Sequence, residues 1–269
     1  WDRHIADLRR FFESIKRSGF TLSLKKCEFA KPEVAFLGHI IGSGNRRANP
    51  SRIEAIQSLR VPETKKQLRQ VLGLFCHFQE YIPKFAHIAC PLTDLTNKRV
   101  PDRIPWGERE QQAFSDLKAA LIKATQEPIG VIDCSRPFTL RVDASLYAVG
   151  GILEQEGPLG PRPVAFTSAK FTPTARCSWA VIENECYAII WALKKFRCFI
   201  YGVPTTVITD HNPLTFLSDT APKNSKLMRW LLAIQEFNDL HFEYRLGVDN
   251  SAADCVSRMV YRDEWQGNE

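Results

Sequence analysis

The chain contains no apolar run long enough to cross a bilayer, no two cysteines spaced as Cys-x-x-Cys, and only 2 methionines in 269 residues. The first absence excludes a spanning helix, which needs about 20 mostly apolar residues in succession. The second excludes the usual zinc-ligand spacing. The 8 cysteines (Cys27, Cys76, Cys90, Cys134, Cys177, Cys186, Cys198 and Cys255) stand apart, mostly among apolar neighbours, and read as buried free thiols rather than a disulfide framework. The opening residues Trp1-Asp2-Arg3-His4 carry no secretory signal and no initiating methionine, so the chain reads as a piece of something longer. With 44% hydrophobic and 25% charged residues, composition excludes a disordered chain and leaves room for one large domain or two.

Charge is unevenly spread. Residues 1–100 hold 18 basic and 9 acidic side chains, whereas residues 101–269 hold 18 and 21. A basic front and a mildly acidic remainder suit a region that grips nucleic acid ahead of one that gathers cations. A solvated helix exterior explains the basic part equally well.

Periodicity divides the chain further. Ile5, Leu8, Phe12 and Ile15 predict a helix over 3–18, closed by Gly19. Extended stretches follow at 21–24 and 34–41, then a polar linker at 42–49. Pro50 opens a helix, a second starts near Thr64, Pro83 breaks it, and Ile88, Leu92 and Leu95 mark one more. The proline-containing stretch 97–106 reads as a boundary before a helix over 108–123. Strands are predicted at 138–142, 149–155 and 164–168, a helix at 178–200, a strand at 206–209, a helix at 225–237, a strand at 241–245 and a short helix at 250–259. Three antiparallel strands, then helix, strand, helix and strand, predict a mixed α/β fold with helices packed on a five-stranded sheet.

Four carboxylates stand out. Asp143 ends the first strand of that sheet, Asp210 ends the fourth, and Asp254 precedes Cys255 near the last helix. Each has a plainer reading, as a turn residue, a helix N-cap and a surface acid respectively. Glu185 is different, because Val181, Ile182, Ala188 and Ile189 put it on an apolar stripe, where a carboxylate needs a partner or a metal. Glu183 lies about 200° around the helix and reads as solvated. If the four converge, they can hold two ions about 3.5–4 Å apart.

These residues carry a resemblance. Val142-Asp143-Ala144-Ser145, Glu183-Asn184-Glu185-Cys186-Tyr187-Ala188-Ile189, Thr209-Asp210-His211-Asn212-Pro213-Leu214, and Tyr244-Arg245-Leu246-Gly247 with Ala253-Asp254-Cys255-Val256-Ser257-Arg258 resemble the RNase H domain of Ty3/gypsy-type retrotransposon polyproteins. Phe36-Leu37-Gly38-His39-Ile40-Ile41 resembles the end of a reverse-transcriptase palm, where a hairpin grips the primer. Leu72-Gly73-Leu74, Tyr81-Ile82-Pro83-Lys84-Phe85 and Pro91-Leu92-Thr93-Asp94-Leu95 are similar to the thumb. Trp106 and Ala113-Phe114 resemble the entry to the RNase H module.

The resemblance implies a palm remnant at 1–45 (a helix plus hairpin), a helical thumb at 46–100, a linker and entry helix at 101–130, an RNase H-like domain at 131–262 and a tail at 263–269. It implies a nuclease that cuts the RNA strand of RNA–DNA hybrids, with Asp143, Glu185, Asp210 and Asp254 as catalytic acids holding two Mg²⁺ or Mn²⁺ ions. Leu37, Gly38, His39, Lys65, Lys66 and Arg69 are expected to touch nucleic acid. Tyr244 and Arg245 stand where many relatives have a mobile histidine; Tyr244 reads either as an aid to product release or as a packed strand aromatic. The expected partners are the hybrid, the template–primer duplex and the upstream palm and fingers of the same polyprotein, with no membrane, in cytoplasmic particles. No Asp-Asp pair occurs, so the polymerase carboxylates are expected to lie ahead of Trp1. The alternative is an inactive transposon relic that only binds nucleic acid.

Overall fold

Asn49 and Thr64 punctuate the front of the chain in the computed structural model, which describes residues 1–145, 147–172, 178–209 and 225–244. The chain divides into two compact units, Trp1–Val34 and Ala35–Glu269. In the first, helix α1 (Asp2–Arg17) is amphipathic but buries no residue, and Phe12 meets Phe29 with ring centroids 6.0 Å apart. A single 3-10 turn, Leu24–Lys26, stands where an extended stretch is predicted over 21–24. Strand β1 (Glu33–Phe36) spans the boundary between the units.

In the second unit, β2 (His39–Gly42) pairs antiparallel with β3 (Asn45–Ala48) through the register Gly42↔Asn45. The polar stretch expected as a linker is therefore one arm of a hairpin. Ser43 at φ 50° and Gly44 at φ 71° form its two-residue loop, whose doubly left-handed backbone matches the twist of the strands. The Asn49 side chain caps α2 (Pro50–Gln57), and Thr64 and Gln67 form a reciprocal capping box at the start of α3 (Lys65–His77). Two short helices, α4 (Phe85–Ile88) and α5 (Cys90–Asp94), replace the single one predicted. Helix α6 (Glu108–Gln126) leads to the short strand β4 (Ile129–Gly130) beside β3. Leu68, Phe75, Ile82, Leu92, Leu117 and Leu121 fill the core of this helical half. The boundary stretch is not loose: Ile104 is buried, its amide donates to Glu63 O at 3.1 Å, and the amide of Lys65 donates to Asp102 O at 3.0 Å.

The sheet predicted from the second half is present. Strands β5 (Phe138–Ala144), β6 (Ala148–Gly157), β7 (Gly160–Lys170), β8 (Thr205–Thr209) and β9 (Leu240–Tyr244) take the order β7-β6-β5-β8-β9. The first three are antiparallel, and β5, β8 and β9 are parallel. Helices α7 (Val181–Lys195), α8 (Arg197–Ile200) and α9 (Ser225–Gln235) complete the described part of this half. Phe138, Leu140 and Val142 on β5 pack with Ile189 and Leu193 of α7 in a second core. Gly151 allows the close fit of α7: an added Cβ would stand 3.1 Å from Thr167 Cγ2 and 3.4 Å from Ala192 Cβ.

The outer strand β7 is covered by the helical half. Arg46 Nη2 donates to Val164 O at 2.7 Å, Ser168 Oγ accepts from the Ala86 amide at 2.8 Å, and Lys170 forms an ion pair with Asp94. An exposed outer strand invites pairing with foreign chains, and this contact removes the invitation. Of the described cysteines, all free, only Cys186 is buried, while Cys76, Cys134 and Cys198 are exposed, which corrects the expectation of buried thiols. Among the described residues no helix is long and apolar enough to cross a membrane.

Leu140 is fully buried between β5 and α7. Leu140→Ala is expected to lower the unfolding free energy by about 2–5 kcal/mol, read as a drop in the urea midpoint with unchanged slope.

Candidate functional site

Alternation along β5 puts Phe138, Leu140 and Val142 toward α7, and Thr139, Arg141 and Asp143 toward the other face. Asp143 lies one residue from the strand's end, opposite Gly150 of β6, and is 6% exposed. Glu185 is in the first half of α7 and 4% exposed. The direction of α7 follows from its contacts: Ala188 clusters with Val149 and Ala144 at the Asp143 end of β5, whereas Ala192 lies against Gly151, farther back. The helix therefore starts at the end of β5 that carries Asp143, and Glu185 sits about one turn nearer that end than Ala188. Two carboxylates predicted from sequence are thus buried at one end of the central strand.

The other two acids, Asp210 and Asp254, lie outside the described residues, as does Arg245. Thr209, the residue before Asp210, ends β8 and is buried. Tyr244 ends β9 beside Thr209 and is exposed, not packed. Among the described residues no three His, Cys, Asp or Glu side chains form a metal-holding group.

The acids of α7 act on their neighbour Cys186. Burial, and then the Glu185 and Glu183 carboxylates, push the Cys186 thiol up to about 12, so it stays protonated and inert. Arg141, two residues before Asp143 on the same strand face, is committed to Glu154 at 2.7 Å. Glu183, expected to be solvated, is instead held in place: its carboxylate accepts from the Ala180 amide at 3.0 Å and pairs with Lys226 at 2.6 Å.

Lys84 is a residue that sequence reasoning passed over as part of a motif. It is buried, takes a left-handed backbone at φ 59°, and with His87, Gly150 and Ser168 lines a small gap between α4 and the β6–β7 pair. A lysine directly after Pro83, at a position a chain fills more readily with Gly or Asn, is the signal that was there to find.

The residues expected to touch nucleic acid are spread along the helical half. Leu37, at φ 48° and exposed, and Gly38 form the turn before β2. A left-handed leucine costs of order 1–3 kcal/mol and persists only where its surroundings impose it. Here His77 Nε2 donates to Leu37 O at 3.2 Å, and the Asn49 amide donates to Gly38 O at 3.0 Å. His39 faces inward: its ring stacks on His77 with centroids 5.3 Å apart, and Nδ1 shares a hydrogen bond of 2.9 Å with the Tyr81 hydroxyl. Lys66 and Arg69 are exposed on α3, and Arg69 Nη2 donates to Thr96 O at 3.1 Å, whereas Lys65 is buried.

Burial lowers the His39 pKa, with His77 and Arg46 adding to the effect and Glu80 opposing it; burial chiefly raises Tyr81 to about 12. A histidine whose folded pKa lies below its unfolded value binds protons first in the unfolded chain, so its contribution is present above about 6.5 and is lost as pH falls from there through the folded value. Lowering the pH from 7.5 to 5.5 is therefore expected to reduce the urea midpoint of the wild type more than that of His39→Phe.

Comparison with known proteins agrees with this architecture. Residues 133–237 match the model of the RNase H-like domain found in reverse transcriptase. The chain is 34% identical, over 96% of its length, to the retrovirus-related Pol polyprotein from transposon opus of Drosophila melanogaster, of which it covers 26%. It is 32% identical over 95% of its length to the corresponding polyprotein from transposon gypsy of the same organism, covering 25% of that protein. Identity to the transposon Tf2-3 polyprotein of Schizosaccharomyces pombe is 30% over 97% of the chain and 20% of the relative. The chain thus spans about a quarter or less of the curated relatives it matches. A foamy viral protease-reverse transcriptase solved in complex with double-stranded DNA matches with a TM-score of 0.75 at 25% identity, over 90% of this chain and 51% of that one. The same type of enzyme in complex with an RNA/DNA hybrid gives a TM-score of 0.79 at 22% identity, over 100% and 36%, a likeness of fold.

Proposed function

The chain belongs to the retrotransposon Pol polyprotein family, with an RNase H-like domain of the reverse-transcriptase kind, and on that premise we propose that it hydrolyses the RNA strand of RNA–DNA hybrids. The observation that carries this reading is the burial of Asp143 and Glu185 at the same end of β5. The register of the neighbouring strand supports it. Strands β5 and β8 run parallel with Arg141 opposite Ile208, and in the sequence Asp143 and Asp210 each follow two residues after that pair. In this reading Asp210 and Asp254 complete the set.

Buried carboxylates from separate elements are hard oxygen ligands, and the cost of burying them is offset when they face divalent cations. Among the described residues, two acids at one strand end are donors suited to such ions, and Arg141 is already engaged elsewhere. Two Mg²⁺ or Mn²⁺ ions bound there would supply an activated water and charge neutralisation at the departing 3′ oxygen. The protein's own part is to hold the carboxylates in place and to keep the site on a rigid strand end.

We assign hybrid and template–primer binding to the helical half. Lys66 and Arg69 offer phosphate contacts, and the Leu37–Gly38 turn offers an exposed apolar contact on a constrained backbone. Contacts of this type read backbone and 2′-hydroxyls rather than base sequence. Polymerisation in this reading belongs to upstream palm and fingers of the same polyprotein.

Asp143→Asn is expected to reduce Mg²⁺-dependent cleavage of a labelled hybrid by at least about 100-fold, the scale of losing one electrostatic contributor in an active site. The variant should also lose the Mg²⁺-induced rise in melting temperature that ligand linkage gives the wild type. Undiminished cleavage by Asp143→Asn rejects the assignment, and binding without cleavage by the wild type favours the inactive relic. Hybrid affinity should fall steeply with salt, and Lys66→Ala with Arg69→Ala should make the logarithmic salt dependence shallower by about 2.

A further inference from the structure

The start of α7 is fastened from outside by a cluster that the proposed chemistry does not use. Ala180, at the N-cap, has no side-chain acceptor, so only the Glu183 half of a capping box forms, through the 3.0 Å bond from the Ala180 amide. The other oxygen of Glu183, Oε1, lies 2.6 Å from Lys226 Nζ, at the first turn of α9. That ammonium stands over the Trp179 ring at 4.7 Å and the Trp230 ring at 5.1 Å. The two indoles meet edge-on at 5.4 Å, and Tyr187, one turn along α7, touches both, at 5.1 and 5.9 Å. Lys226 is thus enclosed by two indole faces and a carboxylate. Its side chain is 29% exposed and that of Glu183 only 16%.

A surface ion pair with this separation would contribute little. Three features set this one apart. It is shielded, so its attraction is screened less than in water. The ammonium has aromatic faces around it, which favour the cation over a neutral group. And it joins two helices with more than 40 residues of chain between the paired side chains, so it constrains their relative placement. A lysine beside a helix N-terminus is otherwise unfavourable, because the N-terminal end of the helix dipole repels cations. The carboxylate of Glu183 is what makes the position tolerable for it.

Glu183 and Glu185 lie on opposite sides of the same turn, so whatever fixes the roll of that turn fixes the direction of Glu185. Asn184, between them, is also buried, so the turn has little room to rotate independently. We propose that Glu183, Lys226, Trp179 and Trp230 form a latch that sets the roll of the first turn of α7 and thereby aims the Glu185 carboxylate at the end of β5. Lys226 and Glu183 are positioning residues: they touch neither the reacting strand nor the ions. The inference rests on the nuclease reading for its consequence, since Glu185 matters there as an ion ligand.

The test uses the full chain with three substitutions. Lys226→Met keeps the reach of the side chain against the indoles and removes the charge. Lys226→Arg keeps the charge and the ring contact. Glu183→Gln keeps an acceptor for the Ala180 amide and removes the pair. Mg²⁺ activation curves for cleavage of a labelled hybrid are measured at saturating hybrid, together with hydrogen exchange of the amides of Glu185, Cys186 and Tyr187.

Lys226→Met and Glu183→Gln are expected to raise the half-activating Mg²⁺ concentration about 10-fold, as for other groups that orient a metal ligand, with hybrid KM changed by less than about 2-fold. Lys226→Arg should restore the wild-type curve to within about 2-fold. The three amides should exchange faster in the two charge-removing variants, while those of Ile190 to Leu193, deeper in the helix, stay as in the wild type. Activation curves that superimpose on wild type, or loss of protection spread evenly along α7, overturn the proposal. Should the wild-type chain itself fail to cleave, the nuclease reading is what fails, and the latch is then judged on hydrogen exchange alone.

Discussion

The pairing of β5 with α7 is the contact on which the rest depends. Leu140 and Val142 bury one face of β5 under Ile189 and Leu193, and Gly151 on the next strand lets the helix come close. That packing is apolar and orders both elements through area removed from water. Its by-product is the confinement of Asp143 and Glu185, which are carried into buried positions by the strand and helix they belong to. Acids placed this way weaken the fold unless compensated. In the proposed function the charge of these acids would draw in divalent cations.

A second constraint joins the two halves of unit Ala35–Glu269. Strand β7 would be an open edge if the sheet stood alone, yet it is occupied by Arg46, Ala86 and Asp94 from the helical half. Arg46 also pairs with Glu80 at 2.9 Å and lies over the Tyr81 ring at 5.4 Å, so one guanidinium links hairpin, helices and sheet. The hairpin that carries Leu37, Gly38 and His39 is therefore fixed to the same body as the carboxylates. A nucleic acid held at one would meet the other in a defined register, which flexible tethering would not provide.

Much of this was legible in the residues. The strand around Leu140 and the stripe that put Glu185 inward were readable because burial on one face leaves a clear periodicity. The second arm of the hairpin, Asn45–Ala48, was not, since Arg46 and Arg47 make it polar and the groups that Arg46 meets, Glu80 and Val164, are distant in sequence. The stretch 97–106 looked like a boundary because of its prolines, but Ile104 and Trp106 dock on the helical core through contacts that no local pattern encodes. Glu183 read as solvated for the same reason: its partner, Lys226, is supplied by another helix. Asp143 and Glu185 were found because each breaks an apolar or extended pattern with a charge; Lys84 was missed because a lysine after a proline looks unremarkable until its backbone angle is known.

These misses share a physical form, and it bears on how the site works. Local propensity specifies which residues lie in a strand or helix, whereas the roll and tilt of an element are set by a few contacts from elsewhere in the chain. For α7 the apolar stripe fixes which side faces β5 to within the breadth of the stripe, about 100°. A carboxylate that must share an ion with another side chain needs closer control than that. The Glu183–Lys226 pair and the indoles around it lie on the flank of the helix, where a modest force exerts the most control over its rotation. The apolar core thus supplies the energy that holds the helix down, and the polar and aromatic flank supplies the angle at which it is held.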